Sequence, residues 1–214
     1  MDDGHDQDER RGGPGKRRPD RQGERRGERR AKPRPIDARA LDEMALAYVA
    51  RFATSAGRLG AYLNRKIRER GWDGDDAADV AGTVARLVGL GYVDDAGFAQ
   101  ARGAGMLRRG LGARRIGETL TRDGIAAPLV AEASGTEHQR RCAALALAQR
   151  RRLGPFGRGS EPLRETPADP AVRARQVATM VRAGHPLAFA RALVEARDIA
   201  AAQEWVDEAD DSSF

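Results

Sequence analysis

From Leu41 onward, apolar residues recur at spacings of three and four. No segment sustains the period-two alternation that a half-buried strand requires. Leu41, Met44, Ala45, Tyr48, Val49 and Phe52 mark the buried face of a first helix. Ser55 stands where its hydroxyl can cap a second, in which Leu59, Tyr62, Leu63 and Ile67 share one side until Gly71 stops it. Asp75 or Asp76 then opens a third helix, carrying Ala77, Val80, Ala81, Val84, Leu87 and Val88 to an end near Gly91. This spacing predicts an all-α chain.

The three-helix pattern recurs. Asp94 and Asp95 can cap a helix that runs through Phe98 and Met106 and breaks at Gly110 and Gly112. A short helix holding Ile116 and Leu120 ends at Gly124, and another begins near Pro128. A third set opens near Thr136 with Cys142, Leu145 and Leu147 as its apolar positions. It resumes after a Gly/Pro-rich stretch with Val172, Val177, Met180 and Val181, and finishes with Leu187, Phe189, Leu193 and Val194. Gly71, Gly124 and Gly184 each follow an apolar residue by four positions (Ile67, Leu120, Met180), as expected of glycines in a left-handed conformation just past a helix end. The expected organisation is a tail over 1–40, three-helix units over 41–91, 92–135 and 136–208 with an insertion at 154–170, and an acidic tail over 209–214. Units this small bury their apolar faces by stacking, which predicts an elongated rod.

Residues 1–40 combine 13 basic and 9 acidic side chains with many glycines and prolines, and carry hardly an apolar one before Ile36. Such a segment buries too little to offset its chain entropy and reads as disordered. Two roles stand open for it: a basic arm for nucleic acid, or a solubilising tail. Between 41 and 203 the chain holds 25 basic against 18 acidic residues, so its body favours polyanionic partners or acidic protein surfaces. Lys16, Lys32 and Lys66 are the only lysines; arginine supplies the rest. Cys142 is the single cysteine, which excludes an intramolecular disulfide and fits a reducing cytoplasm. No stretch reaches the ~20 apolar residues of a membrane span, and the polar N-terminus has no secretion-type apolar segment.

Chemistry finds little purchase. Asp94-Asp95 reads as a helix cap in preference to a catalytic or metal-binding pair. His5, His138 and His185 are scattered, so no metal site is expected. His138 and Cys142 stand four apart on one helix, but nothing supplies an orienting group or an oxyanion hole. Gly12-Gly13-Pro14-Gly15-Lys16 is followed by Arg17, with no strand before it and no helix after it, so no nucleotide loop is present. We expect no enzyme and no cofactor. Tyr92 and Phe98 read as core residues joining successive units.

The arginines are more informative. Arg58, Arg65 and Arg68 fall opposite Leu63 and Ile67; Arg108, Arg109, Arg114 and Arg115 flank the Gly110–Gly112 turn; Arg150, Arg151 and Arg152 end a third-unit helix. Any one of them, taken singly, reads better as part of a solvated helix face. Their recurrence at comparable places predicts a basic stripe with salt-sensitive binding. With aromatics at only 5%, stacking on bases is expected to be minor.

"GYVDDAGFA" (Gly91 to Ala99) followed by "RRGLGARRIGETLTRDGI" (Arg108 to Ile125) resembles the signature of the RecX family. Its carriers here are Gly91, Tyr92, Asp94, Asp95, Phe98, Gly110, Gly112, Ile116, Leu120 and Gly124. Upstream, "YVARFATSAGRLGAYLNRKIRERGW" is similar to the family's first repeat, and the likeness runs more weakly to about Glu208. The resemblance implies tandem three-helix repeats in a curved, monomeric rod. It also implies a partner, the RecA filament on single-stranded DNA, whose recombinase activity and ATP hydrolysis the family usually inhibits. Met106 and Leu111 stand where many members are basic or aromatic, and Arg102-Gly103 replaces bulkier residues, which predicts a looser helix there. The expected function is regulation of RecA in recombination and DNA repair, through contacts to RecA and single-stranded DNA and, without sequence preference, duplex DNA. A regulator acting on DNA or RNA independently of RecA, and a helical adaptor binding only protein, are the alternatives.

Overall fold

The computed structural model describes residues 34–157 and 169–211; much of the 1–40 tail, most of the 154–170 insertion and the last three residues lie outside them. Every regular element among the described residues is helical, and the one extended pairing is a bridge between Ile36 and Trp72.

The first group comprises α1 (Ala38–Val49), α2 (Ala56–Arg70) and α3 (Val80–Gly89). Their inward residues Leu41, Ala45, Leu59, Leu63 and Leu87 close around Ile36. Asp37 and Ser55 cap α1 and α2 by accepting from the N–H groups of Ala40 and Arg58. The third helix opens at Asp79, not at Asp75 or Asp76. The Trp72 indole donates to the Asp76 carbonyl, so residues 73–78 stay in a loop that only Asp79 ends.

A second group, α4 (Asp95–Arg108), α5 (Ala113–Arg122) and α6 (Ala127–Ala133), encloses Ala99, Met106, Ile116, Leu120, Ile125 and Ala133. The third contains α7 (Glu137–Arg151), α8 (Pro170–Arg182), α9 (Leu187–Val194) and α10 (Ile199–Asp211), packed on Ala144, Leu147, Ala148, Met180, Leu193 and Ala202. Thr136 and Gln139 form a reciprocal capping box at the start of α7. The separate helix α10 is not apparent in the periodicity, because acidic side chains surround its few inward residues Ala202, Val206 and Ala209. Burying each Leu or Ile of these clusters contributes roughly 1.5–3 kcal/mol.

Several expected core positions are not core. Tyr92 is 58% exposed. It follows Gly91 in a non-helical stretch where its neighbour Val93 takes the inward position, leaving the tyrosine outside. Phe52, Val88, Val172 and Leu187 are likewise exposed, as is Cys142. Gly124 and Gly184 end their helices at positive φ, as does Gly71, but the ψ of 163° at Gly71 is extended, not left-handed helical.

Backbone contacts join the groups. The Ser55 hydroxyl donates to the Asp123 carbonyl, and the Asp95 carboxylate accepts from the Ala56 N–H at the start of α2. Asp94 alone caps α4; Asp95 serves the neighbouring helix. Further on, the Gly112 N–H donates to the Ala183 carbonyl, and a side chain at Gly112 would collide with the backbone of Gly184 and His185.

Candidate functional site

The turn before α2, the turn before α4 and the outer face of α4 enclose a cleft of about 590 Å³. Tyr92, Phe98, Arg102, Arg108 and Arg109 are its principal side chains. Asp94 also lines it, with one carboxylate oxygen occupied by the Gly97 N–H at the helix cap. Gly97 and Gly105 keep its α4 wall low.

One side of the cleft rests on a carboxylate-centred knot. Asp123, 14% exposed, forms an ion pair with Arg102 at 2.8 Å and faces Arg58 at 4.0 Å. Both guanidiniums lie 5.8 Å from the Phe98 ring centre, a cation–π distance. Arg58 is partly spent on holding the first group against the second, and Arg102 on tying α4 to the end of α5 within the second. Arg108 and Arg109 are exposed and form no ion pair among the described residues. Arg150 donates to the Arg109 carbonyl at 2.6 Å, which brings the end of α7 beside the end of α4.

The other predicted arginines are distributed outside the cleft. Arg65 pairs with Glu69 at 3.7 Å and lies over Tyr62, while Arg68 extends from a later turn of α2. Arg114 and Arg115 share Glu118, and Arg114 also donates to the Val181 carbonyl at 3.0 Å. The hydrogen bond from Arg115, aided by the charge of Arg114, holds the Glu118 carboxyl below its ordinary range. Arg151 and Arg152 are exposed at the end of α7, with Arg152 in a left-handed conformation at φ 56°. Arg102 was not among the arginines singled out from sequence. Its role depends on Asp123, 21 positions away, and no local pattern reveals that pairing.

Beside the cleft, His185 is buried with its Nε2 3.1 Å from the Gly110 carbonyl oxygen. Burial lowers its pKa below the ordinary histidine value, against a smaller opposing effect of that hydrogen bond.

Among known proteins, the chain is 32% identical over 196 residues to "Regulatory protein RecX" of Myxococcus xanthus (strain DK1622), spanning 88% of this chain and 97% of the relative. The chain belongs to the RecX family. No family model matches it. The positions at which this RecX chain departs from the motif have structural reasons. Met106 is buried in the second cluster and Leu111 packs against it. Gly103 does not loosen α4: a side chain there would run into the Ala133 carbonyl, so the glycine permits close packing of α4 on α6.

Proposed function

We propose that this RecX chain regulates RecA by binding the RecA–single-stranded DNA filament, and that it inhibits filament growth, ATP hydrolysis and strand exchange. The carrying observation is the meeting of α4 and α7 at Arg108, Arg109 and Arg150, three arginines without a carboxylate partner among the described residues. Membership of the RecX family supplies the context. In this reading the three helical groups are tandem repeats of one monomeric body, and the chain works in the cytoplasm. The clustered guanidiniums engage DNA phosphates or acidic RecA side chains, and the remaining predicted arginines extend the contact. Regulation needs no chemistry of its own: a ligand that binds one filament state better than another shifts the population towards it.

The test is RecA's single-stranded-DNA-dependent ATPase and strand exchange, together with co-sedimentation on preformed filaments. Addition of the protein is expected to suppress both activities, and the double substitution Arg108→Glu, Arg109→Glu to relieve the suppression. RecA activities untouched at molar excess would refute the proposal. Intact filament binding by the charge-reversed protein would move the interface elsewhere on the molecule.

A further inference from the structure

Tyr92 is the unexpected element of the cleft. Its ring is largely exposed and has no aromatic or cationic partner among the described residues, although three other ring pairs and five cation–ring contacts occur there. A large side chain in solvent has no role in the core. Across the cleft, the Arg108 and Arg109 guanidiniums each come within 3.8 Å of the point where a Gly105 Cβ would stand. Two unpaired cations therefore converge over one side-chain-free patch of α4. Arg150, bonded to the Arg109 carbonyl, adds a third positive group at the end of α4.

We infer that this cleft is a nucleotide subsite for single-stranded nucleic acid: Arg108 and Arg109 clamp one backbone phosphate above Gly105, and one unpaired base stacks on Tyr92. The inference rests on the filament-binding reading and gives it a specific point of contact with the bases. The combination of side chains selects the ligand class. Paired guanidiniums match a phosphate. An open aromatic face matches a base, and stacking of this kind tolerates any sequence. Duplex DNA, whose bases are already stacked, cannot use the ring. An acidic polypeptide would satisfy the arginines but gives Tyr92 nothing planar to hold. The cleft's 590 Å³ lies within the roughly 300–1,000 Å³ of small-ligand sites. Stacking therefore contributes locally despite the low aromatic content of the chain.

The test uses the full chain and two labelled probes: a twelve-residue oligothymidylate and an abasic strand with the same number of phosphates. The wild-type protein is expected to bind oligothymidylate about tenfold more tightly, the gain from one stacked base. Tyr92→Ala should abolish that preference without changing abasic binding, and Tyr92→Phe should keep it. Arg108→Ala with Arg109→Ala should weaken both probes alike and lower the salt slope by about 0.7, for the one clamped phosphate on a single strand. Equal wild-type affinity for the two probes, or equal loss on both with Tyr92→Ala, overturns the subsite. So does displacement of oligothymidylate by a twelve-residue polyglutamate at equal charge, which would assign the cleft to acidic protein. RecA ATPase, followed with the wild-type chain, separates the two failures. Unchanged hydrolysis rejects the RecA reading whatever the oligonucleotides do, whereas inhibited hydrolysis with base-blind binding rejects the subsite alone.

Discussion

Gly112→Ala tests the backbone junction between the second and third helical groups. A methyl at Gly112 would overlap the carbonyl of Gly184 and the nitrogen of His185, atoms that cannot rotate away as a side chain can. The backbones must separate, and two hydrogen bonds depend on their approach: Gly112 N–H to the Ala183 carbonyl at 3.0 Å and Arg114 N–H to the Gly184 carbonyl at 3.3 Å. Each such bond is worth about 1 kcal/mol, and overpacking against rigid neighbours costs about 1–3 kcal/mol. The expected loss is about 3 kcal/mol. For a domain of 150–250 residues that corresponds to roughly 6–12 °C in Tm, read by circular dichroism at 222 nm. Gly89→Ala is the control. It lies at the end of α3 with nothing within 4 Å of an added methyl, so the same substitution should stabilise slightly, by a few tenths of a kcal/mol up to about 1 kcal/mol. An unchanged Tm for Gly112→Ala, or an equal loss in the two variants, would refute the reasoning.

Two further outcomes follow from the groups around the cleft. Asp123→Asn removes the carboxylate between Arg58 and Arg102 while keeping the shape of the side chain, and should cost about 1–2 kcal/mol, less than a fully buried pair because both guanidiniums remain more than a third exposed; urea unfolding at low and high salt checks it, and an unchanged midpoint would show the knot to be neutral. His185 has a folded-state pKa below its unfolded value, so from near pH 6.5 downward the unfolded chain takes up a proton that the folded chain refuses. Stability relative to His185→Gln should therefore be constant above that pH and fall as the pH drops towards the folded-state pKa, by at most about 1.4 kcal/mol per unit. Parallel pH profiles for the two proteins from 7.5 to 5 would contradict it.

The helices were legible wherever a long apolar face ran without interruption. Leu59 and Leu63 on α2, or Ile116 and Leu120 on α5, are fully buried as their spacing predicts. Periodicity failed at element ends, where the chain changes direction and spacing no longer reports a side. Phe52 lies beyond the last residue of α1 and Tyr92 lies between α3 and α4, and both are exposed. The late start of α3 depends on the Trp72–Asp76 bond, and the Gln176 that interrupts the apolar pattern of α8 accepts the Gly154 N–H at 2.9 Å. Each is a tertiary or loop interaction that competes successfully with a local preference.

Of the candidate site, the sequence shows where the arginines lie but not how they are paired. Arginine spacing marks α2, the α4–α5 turn and the end of α7 as basic, yet charge alone cannot distinguish a guanidinium that holds the fold from one that faces a ligand. Arg58 lies over Phe98 and faces Asp123, and Arg114 and Arg115 share Glu118, whereas Arg108 and Arg109 keep their charges unpaired among the described residues. The division depends on where the carboxylates fall after folding. Asp123 is 65 residues from Arg58, whereas Glu118 is within one helical turn of both its arginines, so only the second arrangement was accessible to local reasoning. The sparing of Arg108 and Arg109 has a steric cause as well. The nearest wall of α4 carries Gly97, Ala101 and Gly105, residues with no acidic group to offer. The small side chains of that wall leave the two guanidiniums without an ion pair beside the open ring of Tyr92, and the proposed nucleotide subsite depends on that combination.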